Sequence, residues 1–510
     1  MLILLAVLLS VAASCQKNNL RVVSLDSFQS LKVKGLHISN ECVKKNILRL
    51  ADEDRNQQAP DLRAKAYYRN NGCLIWITRH GVSGKADSLL NFLKSVNQHG
   101  FDREKFRYSQ IKEDLKSVRS LSFEGKDDKI NRVLARLEYN LTKAYFRYAV
   151  GFGRGFINPN QVFNRLDVKD SDSVGVKYRT LFGIKMKHAG NKFYGKAVNM
   201  ALHDSVGSFL RQLQPKGNTY YLLKSRLMNV KCKSERSSIL CNMERCRWRL
   251  EDSPAMHNKY MVVNIPSQRL LAINGGHALS MKIGLGALLT KTPLLTSRIS
   301  RIDFNPQWII PRSIIRKSIL AHVGNKEYFE RNNYFVVDRR SGKVVDQGFV
   351  DREMLLDRNY AVIQRGGAGN ALGSVIFRFA NDFSIFIHYT SNTDIFLRNE
   401  RTVSHGCIRI EKPFDLVLFC LEDFDEKLVS RIKFTMNYYN EQGLVKGSSN
   451  DIAGDDVKSN LLNSLKVQPQ IPLFITYYTI YPNESGILQY YPDIYGYDKV
   501  IYNQLKAYIR

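Results

Sequence analysis

The stretch 388–410, HYTSNTDIFLRNERTVSHGCIRI, holds two of the ten histidines, one of the eight cysteines, and a glycine between the second His and that Cys. A cysteine attacks a carbonyl well only as a thiolate, so it needs a neighbouring base or positive field, and histidine is the commonest such group. His388 ends the strand-like run FSIFIHYT, and the chain returns through a polar loop to SHGC, so His388 and Cys407 can meet at a loop mouth. Gly406 lets the backbone turn tightly there and is expected to expose the N–H groups of Gly406 and Cys407 towards an incoming carbonyl oxygen. The residues alone leave a second reading open, in which Cys407 is a buried inert thiol and both histidines are structural. No metal site is expected: Cys232, Cys241 and Cys246 lie close together, but their spacing suits no zinc geometry.

Such a site needs elements to hold it, and 510 residues exceed what one core usually supports, so two or three domains are expected. From about 40 to 230 the apolar period is helical. Leu89, Phe92, Leu93 and Val96 share one face, and Ile130, Val133, Leu134, Leu137, Leu141, Ala144, Tyr145 and Tyr148 form a second stripe. Near 260 the period changes to short strands, with an Asn274-Gly275 hairpin turn, and a β-rich domain begins near 255. PFDLVLFCLEDF reads as a helix, NEQGLVKGSSNDIAGDD as a surface loop. The tyrosine-dense tail from Ile471 reads as strands packing on a neighbour, with a glycan-stacking surface as the alternative.

The formal net charge of +29 favours polyanionic partners such as anionic envelope polymers. The basic residues are dispersed, without an arginine-rich tract or zinc spacing, so no nucleic-acid partner is expected. MLILLAVLLSVAASC is shaped like a secretory signal, and its end resembles a lipobox that would make Cys15 a lipidated first residue anchored to a membrane. The alternative is an ordinary cleaved signal. Either way export is expected.

SHGCIRI, preceded by a strand-terminal His388, resembles the signature of L,D-transpeptidases with a YkuD-type catalytic domain, the cysteine enzymes that cross-link bacterial peptidoglycan. NMERCRWRL, MVVNIPSQRLLAI, KTPLLTSRI, FNPQWIIPRSI, GGAGNALGSVIFRF and PDIYGYD resemble segments of the large Gram-negative members, in the same order. The resemblance implies an α+β multidomain chain. Its expected parts are a leader over 1–15, a mainly helical scaffold over 16–240, a β-rich catalytic domain over 241–435 with a capping insertion at about 304–365, and a C-terminal segment over 436–510 packing on the scaffold. By the same resemblance Cys407 is the nucleophile and His388 its base, and the Tyr389 backbone carbonyl orients the imidazole. Ser404, His405 and Gly406 shape the oxyanion loop, with His405 as second candidate for the base; Arg409 supports that loop, and Asn370 helps place substrate.

The implied reaction is acyl transfer through a Cys407 thioester between two stem peptides, giving direct diamino-acid to diamino-acid cross-links without a cofactor, in the periplasm. Two alternatives stay open: an L,D-carboxypeptidase of the same fold, in which water resolves the thioester, and a non-catalytic wall-binding lipoprotein. One departure stands out. Only the short stretch NVKCKSERSS precedes NMERCRWRL, where related large enzymes carry a peptidoglycan-binding module.

Overall fold

The computed structural model describes residues 38–78, 80–123, 128–172, 175–441, 460–483 and 485–509. The expected leader with Cys15, and nearly all of the Gly/Ser/Asn-rich loop, lie outside them. Up to residue 247 the described chain is mainly helical, arranged around the long helix α1 (Asp128–Arg154). Its apolar stripe is buried as expected, but Glu138, Thr142 and Lys143 are buried too. Helices Asn40–Glu53, Ala59–Arg69 and Tyr108–Ser120 all pack on α1, so no face of it is left to water over most of its length. Glu138 is tolerated inside because it accepts the N–H groups of Trp76 (3.0 Å) and Ile77 (3.1 Å) and the hydroxyl of Tyr68 (2.8 Å).

Helix α2 (Lys233–Arg247) runs across the boundary expected at 240, and the strands of the two larger sheets begin after it. They are β1 (Lys259–Asn264), β2 (Arg269–Asn274), β3 (His277–Gly286) and β4 (Leu295–Phe304), then β5 (Trp308–Ile309), β6 (Tyr334–Asp338), β7 (Val344–Val345) and β8 (Tyr360–Gln364), and finally β9 (Val375–Phe379), β10 (Ile387–His388), β11 (Thr402–Ser404), β12 (Ile408–Ile410) and β13 (Ser464–Thr476). Nine of them form one sheet in the order β11-β3-β12-β10-β9-β4-β13-β1-β2. The sheet closes on itself because β3 pairs with β2 through its first half and with β12 through its second. The β2–β3 turn is Gly275-Gly276, one residue later than expected, since Asn274 still pairs with His277. Closure removes the exposed edge that a sheet of this size would otherwise present.

Between the neighbouring strands β4 and β9 the chain leaves the sheet to build a second one, ordered β7-β6-β8-β5. That small sheet has its own core, including Ile310, Ile315, Phe329, Val336, Leu355 and Val362, so it folds over the main sheet as a separate layer.

The segment expected to pack on the scaffold after 435 divides in two. Strand β13 enters the main sheet, parallel to β1 and antiparallel to β4. An alternating apolar run is equally able to add to a sheet, and here the place between β1 and β4 is the one it fills. The chain then continues to α5 (Tyr497–Leu505), which packs on α2; α3 (Pro413–Cys420) and α4 (Glu426–Glu441) lie between β12 and β13. The tail tyrosines Tyr477, Tyr495 and Tyr497 are buried against one another rather than offered to a glycan. A buried ion pair locks this end: Arg245 of α2 meets Asp498 of α5 at 2.6 Å, Thr479 donates to the same carboxylate at 2.6 Å, and the Arg245 guanidinium lies over the Tyr477 ring. Removing one partner of such a pair strands a charge. Asp498→Ala is therefore expected to destabilise the protein by about 3 kcal/mol or more, read as a lower denaturant midpoint at unchanged slope.

Candidate active site

Strand β10 lies parallel to β12 with Ile387 opposite Ile408 and His388 opposite Arg409. Side chains alternate along strands, so this register sends Ile387 and Ile408 into the core and turns Phe386, His388, Cys407 and Arg409 to the other face. Strand β9 pairs Ile376 with His388, which adds Ile376 and Arg378 to that face. All six line one cavity of about 460 Å³, roofed by Trp308, Ile309 and Ile314 of the small layer. Opposite Arg409, β3 carries Gly284, where a Cβ would come within 3.3 Å of the Arg409 Cβ.

The charge state follows from burial. The His388 Nδ1 contacts the backbone carbonyl of Tyr389. A carbonyl only accepts, so Nδ1 carries the proton and Nε2 is the basic nitrogen. Desolvation, and then the Arg409 charge, pull the His388 pKa down to about 4 against the opposing pull of the Tyr389 and Leu372 carbonyls. Desolvation pushes the Cys407 thiol up, with the Phe386 backbone and Arg409 acting the other way. At neutral pH the pair rests as thiol and neutral imidazole, not as a preformed ion pair. Arg409 is itself desolvated, and its buried Nε has no hydrogen-bond partner among the described residues.

The SHGC loop is held from several sides. Ser404 donates its hydroxyl to the Cys407 carbonyl at 2.6 Å and accepts the Gly406 N–H at 3.0 Å. The expectation that the Gly406 N–H faces the cleft is therefore corrected: Ser404 Oγ occupies it. Gly406 has φ +121°, a conformation open to glycine and strained for other residues. Two threonines that the motif did not announce anchor the loop. Thr290 donates to the Ser404 carbonyl (2.8 Å) and Thr292 to the Gly406 carbonyl (2.9 Å). Tyr495, from the far end of the chain, donates to the Gly286 carbonyl at 2.6 Å and accepts the Thr292 N–H at 3.1 Å. A Cβ on Gly286 would stand 2.1 Å from the Thr290 carbonyl, so glycine is required for this close approach. The helical region grips the same β3–β4 connection: Lys291 pairs with Asp167 at 2.7 Å, and the Leu294 N–H donates to the Leu181 carbonyl at 2.8 Å.

Of the residues expected at the site, Cys407, His388, Ser404, His405 and Arg409 line the cavity, while Tyr389 acts through its carbonyl and Gly406 through its backbone. His405 is solvent-exposed, whereas His388 is only 3% exposed. Partial desolvation of its ring, then the charges of Lys317 and Arg409, lower the His405 pKa. Asn370 is corrected. It is wholly buried, donating to the carbonyls of Pro306 (3.1 Å) and Arg365 (2.7 Å) and accepting the Leu372 N–H (2.7 Å). With those bonds made it holds the seam between the two layers and positions Leu372, a cavity residue, instead of touching a ligand. Of the seven described cysteines, Cys407 is the one in this cavity. Cys420 is fully buried, with its pKa pushed far up by desolvation, so it is inert.

The rate of Cys407 alkylation by iodoacetamide is expected to rise with pH along a curve displaced above that of a free thiol. Tyr495→Phe should alter that rate several-fold by loosening the loop, while Cys420→Ser leaves it unchanged; modified-peptide mass spectrometry against time reads all three.

Comparison with known families places a model described as the L,D-transpeptidase catalytic domain, YkuD, on residues 258–427, and a model described as the Scaffold domain on residues 61–227. A curated protein of Haemophilus influenzae named "Putative L,D-transpeptidase" is 28% identical over 270 residues, covering 52% of this chain and 50% of that protein. The chain thus spans about half the length of that relative. The first match takes in the strands that carry His388 and Cys407, the second the helices around α1. Residues 258–427 thus match an L,D-transpeptidase (YkuD) catalytic domain and residues 61–227 a scaffold domain, joined in one chain.

Proposed function

We propose that the protein is a peptidoglycan L,D-transpeptidase that forms direct diamino-acid to diamino-acid (3–3) cross-links through a Cys407 thioester. The observation that carries this reading is the β10–β12 register, which sets Cys407, His388 and Arg409 on one face of one cavity. Because the pair rests neutral, the thiol proton passes to His388 Nε2 as sulfur attacks the donor stem's carbonyl. Charge then develops on the carbonyl oxygen, and Arg409, whose Nε lacks a partner, supplies a positive field beside it. With Gly406 committed to Ser404, the Cys407 N–H is the loop amide assigned to that oxygen. Collapse breaks the C–N bond, His388 returns the proton to the departing D-amino acid nitrogen, and the thioester remains. The side-chain amine of a second stem then attacks the thioester carbon, giving its proton to His388, which hands it to the leaving sulfur.

No Asp or Glu lines the cavity, and of its two arginines Arg378 is paired with Asp303 at 2.7 Å while Arg409 carries the positive charge facing it. Such a lining suits the carboxylates of stem peptides. Placement in the periplasm, with Cys15 as a lipid anchor, belongs to the same proposal, since that is where this substrate is found.

Purified protein given a disaccharide-tetrapeptide should yield cross-linked dimers by mass spectrometry; trimmed monomers without dimers would instead identify a carboxypeptidase. Cys407→Ala should abolish acylation, and His388→Ala should slow it by about 10²-fold or more. The wild-type acylation rate should fall as pH drops through about 4, where His388 gains a proton and stops acting as a base. Cross-linking retained in Cys407→Ala would remove the nucleophile from the proposal.

A further inference from the structure

Away from the catalytic cavity, the scaffold region encloses a second one of about 370 Å³ where the C-terminal end of α1 meets residues 155–162, 186–189 and the last turns of the chain. The two cavities share no lining residue. Phe156, Tyr194 and Tyr508 supply ring surface, and Gln57, Asn158 and Gln161 supply amides. No Asp or Glu lines it, yet two arginines do.

The two arginines are not equivalent. Arg147 is neutralised by Asp61 in a two-pronged pair, both contacts at 2.7 Å. Arg154 makes no ion pair among the described residues: one terminal nitrogen donates to the Gly153 carbonyl at 2.7 Å, and the guanidinium lies 4.9 Å from the centre of the Phe193 ring. Its Nε is buried and has no hydrogen-bond partner among the described residues. Burial and the nearby Arg249 charge both disfavour its cationic form. A desolvated cation with an unused donor, repelled by a neighbour and bordering a cavity free of carboxylates, is an arrangement that an anion completes.

We propose that this scaffold cavity is a second binding site, for a short saccharide that carries a carboxylate. The guanidinium of Arg154 matches the planar carboxylate, the amides match hydroxyl and acetamido groups, and the rings stack on the sugar face. The volume fits a unit or two of such a chain. Binding here would tether the enzyme to a glycan through its scaffold, independently of the thiol chemistry and of whether the transpeptidase reading holds.

The test uses the full chain, calorimetric titration and three probes: N-acetylmuramic acid, N-acetylglucosamine, which lacks the lactyl carboxylate, and lactate, which lacks the ring. N-acetylmuramic acid should bind tightest. Arg154→Gln should weaken it by about tenfold or more, Gln161→Ala on the exposed rim should weaken it less, and neither should change the Cys407 alkylation rate. Should Arg154→Gln fail to fold, as judged by its melting transition, Gln161→Ala and Arg154→Lys carry the test. No binding of N-acetylmuramic acid, equal affinity for N-acetylglucosamine or for lactate, or wild-type affinity in the folded arginine variant would each overturn the proposal.

Discussion

The site depends on a register. Two short parallel strands, β10 and β12, are paired so that residue 388 stands opposite 409. A slip of one residue would invert the alternation, drive His388 or Cys407 into the core, and bring Ile387 or Ile408 to the cleft. The strands are two and three residues long, too short to hold that pairing by themselves. What fixes it is the company they keep: β9 on one side, β3 on the other, and a closed sheet that leaves no free edge along which to slide.

The loop that carries the sulfur is fixed by a second set of contacts, which makes the scaffold part of the site's rigidity. The β3–β4 connection with Thr290 and Thr292 bonds two carbonyls of the SHGC loop. That connection is pinned by Asp167 and Leu181 from the scaffold side and by Tyr495 from the tail. The tail is in turn pinned by Arg245 and Asp498. Catalytic geometry is sensitive to shifts of an ångström, and here it is referred to three separate parts of the chain.

How much of this was legible in the sequence follows the range of the interactions. His388 and Cys407 stand out because a motif and a strand ending are local signals, while the small layer near 304–365 is implied only by the family resemblance. The brace from Tyr495 to Thr292 joins residues about two hundred positions apart and leaves no periodic trace, so nothing in the tyrosine-rich tail distinguished a buried clamp from a sugar platform. Asn370 misled for the opposite reason. Its neighbourhood is close to the cleft, but hydrogen-bond satisfaction, which sequence does not display, turned its amide inward. The expected break at 435 failed because β13 alternates like any edge addition, and only the vacant slot between β1 and β4 determines where it goes.

The position of β13 also orders events in time. Strand β1 lies near the middle of the sequence and its parallel neighbour follows only about two hundred residues later, so the main sheet cannot close until that later segment is made. Until the segment with Tyr495 has folded in, the thiol loop lacks its clamp. The thiol loop therefore reaches its final geometry only when β13 and Tyr495 are both in place.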